Sequence, residues 1–90
     1  MIARQVFYEG NVQGVGFRYT VRSIAKGFDV VGWVKNLADG RVELQASGEP
    51  DEVRAFLQAI RDSELASHIK TAQEHEIAPG QNARGFEIAF

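Results

Sequence analysis

The sequence predicts an α+β fold: a ferredoxin-like (βαββαβ) open-faced sandwich in which two helices cover one face of an antiparallel sheet. Three observations lead there. Strand-like and helix-like segments alternate along 90 residues. Two amphipathic stripes of helical period stand between segments rich in β-branched and aromatic residues. Asp39-Gly40 then joins two such segments as a hairpin, because the dipeptide accepts positive φ. Ninety residues supply one modest core, so a single domain over residues 1–90 is expected.

Each element has its own signal. Ile2 to Glu9 carries Val6, Phe7 and Tyr8 and reads as a first strand. In the next segment Phe17, Val21, Ile24 and Ala25 share one helical stripe and Gly27 marks its end. Asp29 to Asn36 is a second strand. Its Trp33, like Phe17 of the helix, is expected in the core. Val42, Leu44 and Ala46 alternate with Glu43, Gln45 and Ser47 as the other arm of the hairpin. Pro50 fits a first helical position, with Asp51 and Glu52 complementing the helix dipole and Val53, Phe56, Leu57 and Ile60 forming the apolar face. His68 to Ile77 is a strand by weaker patterning. Pro79-Gly80 breaks it, and Phe86, Ile88 and Phe90 alternate with Glu87 and Ala89 in a short additional strand.

Composition narrows the function classes. A net charge of −2 and a pI near 5.6 give no overall positive field for nucleic acid or an anionic membrane, so an anion must be bound locally. Cysteine is absent, which removes disulfides, thiolate nucleophiles and thiolate metal sites and suits a reducing compartment. No apolar run resembles a signal peptide or membrane span, so a cytoplasmic protein is expected. His68 and His75 lack the spacing of a metal pair and are expected on the surface. The carboxylates and imidazole of Glu74-His75-Glu76 alternate between strand faces, so no metal or other cofactor is expected.

The chemistry concentrates between the first strand and first helix. Gly10, Gly14 and Gly16 allow a backbone turn of positive φ and a close approach to peptide amides, and the turn feeds a helix start whose free N–H groups favour an anion. Arg18 follows at once, with a guanidinium that grips two phosphoryl oxygens together. Taken alone, these residues fit an anion cradle and a tight structural turn equally well. Asn36 alone fits a turn residue bonded to its own backbone.

Two motifs in register go further. Val12-Gln13-Gly14-Val15-Gly16-Phe17-Arg18 resembles the acylphosphatase signature, and Gly32-Trp33-Val34-Lys35-Asn36 followed by Asp39-Gly40 is similar to the family's second motif. The resemblance continues through Gly48, the Val53 to Ile60 helix and Gly85-Phe86-Glu87-Ile88, covering essentially the whole chain. Asn11 and Leu37 depart from residues common in the family, arginine and threonine respectively, and neither touches the assigned chemistry.

The resemblance implies hydrolysis of the carboxyl-phosphate bond of small acyl phosphates, without metal. Its catalytic residues are Arg18 and Asn36. The phosphoryl group is held by Arg18 with the amides of Gly14, Val15, Gly16 and Phe17, while Asn36 orients the attacking water. The implied partners are the acyl phosphate and inorganic phosphate, with no nucleic acid and no membrane, and a monomer is expected. Two other readings differ in kind. One is a non-catalytic anion- or RNA-binding ferredoxin-like module, disfavoured by the acidic composition and by the lack of aromatics interleaved with basic residues. The other is an acylphosphatase-like module handling carbamoyl phosphate within a larger assembly. A chain ending directly after its last strand, at Phe90, is expected to act independently of such an assembly.

Overall fold

The chain runs β1 (Ile2–Gly10), α1 (Phe17–Ala25), β2 (Val30–Asn36), β3 (Val42–Gly48), α2 (Pro50–Arg61), a 3-10 turn (Glu64–His68), β4 (Ile69–Ile77) and β5 (Phe86–Ile88). This is a computed structural model, and it describes residues 1–79 and 84–90. The strands form one sheet in the order β4-β1-β3-β2-β5.

The sheet's core-facing phase is set by Val6 and Tyr8 of β1, Val30 and Val34 of β2, and Val42, Leu44 and Ala46 of β3. Against it lie Phe17, Val21 and Ala25 of α1 and Val53, Phe56, Leu57 and Ile60 of α2. These are the stripes that the helical period marks. Phe56 is fully buried and its ring meets Phe28 at 6.0 Å and Phe86 at 5.3 Å, so one side chain ties α2 to β5 and to the segment that follows α1. Truncating such a residue costs about 3–5 kcal/mol. The ferredoxin-like sandwich is therefore as expected.

Four details differ from the sequence reading. The pairings β1–β3, β1–β4 and β2–β3 are antiparallel, but β5 joins β2 in parallel, with Gly32 beside Phe86 and Val34 beside Ile88. Alternation reveals which face a residue takes and says nothing about strand direction. β5 also ends at Ile88, leaving Phe90 outside it. Trp33 is not in the core: Val30 and Val34 fix the phase of β2, so period 2 sends Trp33 to the open face. There it is half-buried beneath Lys35, whose Nζ lies 5.0 Å from the ring. Phe7 occupies the same face under Arg41 at 4.6 Å, so aromatics with basic neighbours do occur there, each ring capped by a cation of its own chain. His68 closes the 3-10 turn instead of opening β4. His75 is exposed on β4, as expected. Of the Pro79-Gly80 break, Gly80 lies outside the described residues. Among the described residues no helix is long and apolar enough to cross a membrane.

Candidate active site

β1 ends in a register shift between Glu9 and Gly10, a bulge that turns the chain off the sheet edge toward the loop. Val12 is completely buried and anchors that loop in the core. Gln13 fastens it from the other side: its Nε2 donates to the carbonyls of Leu37 at 2.8 Å and Arg41 at 3.0 Å, both at the β2–β3 turn. The turn is itself pinned by Asp39, which accepts from the Arg41 backbone N–H at 3.0 Å and from its Nε at 2.8 Å. These bonds hold the Asp39 carboxyl below its ordinary range. The loop and the strand end that carries Asn36 are thereby joined by hydrogen bonds that cross from one segment to the other.

Gly14 and Gly16 have φ of 77° and 76°, in the left-handed region where a side chain costs about 1–2 kcal/mol. Gly16 is also the N-cap of α1, and its carbonyl accepts from Thr20 N at 3.0 Å. Arg18 thus stands in the first helical turn, where no acidic residue is present and the free amides carry partial positive charge.

These residues surround a cavity of about 160 Å³. Gly14, Gly16, Phe17, Arg18 and Asn36 line it, joined by Val12 and Tyr19. Val15, the remaining predicted phosphate-binding residue, is half-buried against the core and does not line it. Arg18 and Tyr19 are the only ionisable side chains in that lining, so the cavity holds one fixed positive charge and no carboxylate. Asn36, the last residue of β2, contributes a buried Oδ1 that has no hydrogen-bond partner among the described residues. An acceptor left so costs about 1–3 kcal/mol unless something donates to it. A bound anion at Arg18 and a water donating to Asn36 would satisfy both groups within one small space.

Sequence reasoning missed one contributor and ranked another below its place. Gln13 is polar in a loop and has no local signature, because its bonds reach residues far along the chain. Tyr19, next to Arg18 on the helix, reads from the sequence as a partly exposed packing residue, with a place at the border of the site as the lesser alternative; it is 69% exposed and forms a wall of the cavity. Among the described residues no three His, Asp or Glu side chains converge to hold a metal.

The acylphosphatase family model matches residues 4–88. An acylphosphatase of Archaeoglobus fulgidus is 39% identical over 90 residues, covering 100% of both chains. Among solved structures, the crystal structure of acylphosphatase from Bacillus subtilis has a TM-score of 0.90 at 33% identity and full coverage of both chains. Full-length HypF in its phosphate- and nucleotide-bound form has a TM-score of 0.85 at 28% identity, covering 99% of this chain and 12% of that one.

Proposed function

The chain belongs to the acylphosphatase family, and we propose that it hydrolyses acyl phosphates with Arg18 and Asn36 as its catalytic residues. The observation that carries this reading is the shared cavity. It sets a guanidinium and a glycine-shaped loop beside a buried asparagine oxygen that lacks a partner.

The phosphoryl group sits between Arg18 and the amides of Gly14, Gly16 and Phe17, which line the cavity, and the Val15 amide between them completes the cradle although its side chain packs against the core. Arg18 takes two equatorial oxygens, where negative charge is spread in the loose transition state, and the amides complete the cradle without reorganising. Asn36 accepts a hydrogen bond from a water and holds it in line with the scissile bond. The water oxygen bonds to phosphorus while the bond from phosphorus to the acyl oxygen breaks. That electron pair leaves on the carboxylate, and the water's proton passes to a phosphoryl oxygen. A carboxylate is a weakly basic leaving group, so no strong acid is required beside it. The reading takes residues 1–90 as one domain, monomeric and cytoplasmic, acting on small molecules without a metal. The acidic composition and the absence of cysteine are consistent with that setting.

The purified protein is expected to hydrolyse benzoyl phosphate in the presence of a chelator, with inorganic phosphate as a competitive inhibitor. A protein that binds phosphate but hydrolyses no acyl phosphate would support the non-catalytic anion-binding reading instead. The likeness to HypF sustains a second reading, in which the same cradle serves carbamoyl phosphate as one module of a larger assembly. A kcat/KM for carbamoyl phosphate well above that for benzoyl phosphate would favour it.

A further inference from the structure

Beside the cradle lies a second cavity of about 370 Å³, and Tyr19 forms part of the wall of both. Phe86 and Ile88 form its half-buried apolar floor, continuous with the core, and Phe90 stands at the far side. Among the described residues the exposed large hydrophobic side chains are Met1, Tyr19 and Phe90, so two of the three flank this cavity. The Phe90 ring lies 5.2 Å from the Arg18 guanidinium carbon, which positions it next to the group that would grip the phosphoryl oxygens.

From this arrangement we infer that the second cavity is the acyl subsite and takes an aromatic acyl group, with the Phe90 ring as its stacking wall. The inference rests on the proposed hydrolysis and names the substrate class for the same site. Tyr19 lines both cavities and Phe90 stands against Arg18, so the second cavity is the neighbouring space for the acyl portion of a phosphoryl group held at Arg18. A benzene-sized ring needs roughly 150 Å³, so the space suffices with room for solvent. Charge decides between acyl classes: of the side chains lining the cavity, Arg22 and Glu87 offset each other, so these side chains offer a second anion no advantage. An uncharged planar ring gains apolar contact with Phe86 and Ile88 and an aromatic pairing with Phe90 and Tyr19, which an acetyl group is too small to make.

The test is the binding of benzoylphosphonate and acetylphosphonate, non-hydrolysable analogues, measured by titration calorimetry on the full chain and on Phe90→Ala and Phe90→Leu. The unmodified protein should prefer the benzoyl analogue by about tenfold or more. Phe90→Ala should cut that preference to within about threefold, and Phe90→Leu should give an intermediate value. Phe90 is exposed, so neither change disturbs the core. Equal weakening of both analogues would show that the ring acts only by holding Arg18, and an unchanged preference would show that it faces no ligand; either result overturns the subsite. Failure of hydrolysis with the binding preference intact would sink the catalytic reading and leave the subsite standing.

Discussion

The cavity between α2 and the β4 edge is lined by three arginines, each with a carboxylate partner, whereas the cradle holds one arginine with none. Arg4 pairs with Glu74 at 3.4 Å and Glu76 at 3.5 Å, Arg61 with Glu74 at 3.2 Å, and Arg54 with Asp51 at 3.9 Å. Arg18 makes no ion pair among the described residues, and its guanidinium contacts the Phe90 ring instead. The two regions share a residue type and differ in what the charge is aimed at. A cation satisfied by its own chain fastens one element to another, and one left without a counter-charge beside free amides waits for an anion from outside. Concavity is common to both; the electrostatic imbalance separates receptor from joint.

The contrast can be broken most forcefully at Arg18. Arg18→Ala is expected to lower kcat/KM for benzoyl phosphate by about 10³-fold or more, comparable to losing a transition-state arginine elsewhere, and to abolish inhibition by inorganic phosphate. Retained phosphate inhibition would mean that the amides alone bind the anion. Asn36→Ala should cost about 10²–10³-fold in kcat with little change in the phosphate inhibition constant, because it removes the water's acceptor and not the anion's. A change confined to KM would move Asn36 from the water to the substrate. Gln13→Ala touches neither reactant. By releasing the loop from Leu37 and Arg41 it should reduce kcat/KM by about tenfold, a loss visible in steady-state kinetics while thermal stability falls by about 1–2 kcal/mol. On the opposite side, Glu74→Gln should leave turnover within about twofold and lower unfolding free energy by about 1 kcal/mol or less, since these pairs are part-exposed. Turnover that followed Glu74 would erase the distinction between the two cavities.

A last difference lies in pH. Tyr8 is buried next to this second cluster, and desolvation raises its phenol far above its ordinary value of about 10. A pKa raised by folding contributes no penalty while both states are protonated, and stability is lost as pH rises past the point where the unfolded chain ionises. Denaturant titrations should therefore show stability falling above about pH 10, and Tyr8→Phe should remove most of that slope.

Much of this was legible in the sequence because it is local. The glycines of the loop, Arg18 in the first helical turn and the apolar stripes of both helices fall within short windows, and their physics acts over the same windows. Asn36 was legible only through the resemblance, since its relation to the loop is made by bonds that cross the fold. Gln13 was missed for the same reason, its acceptors lying at the far hairpin. Trp33 was misplaced because hydrophobicity suggested burial against the helices, whereas the phase of β2 was already committed by Val30 and Val34. The parallel direction of β5 had no local sign.

β1 is an interior strand of the sheet and pairs on both sides with strands far along the chain, so that Ile2 meets Gly48 and Gly10 meets Ile69. A topology so dominated by distant pairings closes long loops before any contact repays their entropy, and folding slower than that of a helical bundle is the physical consequence. The helix bearing Arg18 can form locally in about a microsecond, but the Gln13 bonds need the β2–β3 turn and the bulge at Gly10 needs β4. The geometry of the proposed site is thus among the last features to mature, and regained turnover during refolding is the expected clock for completion of the sheet.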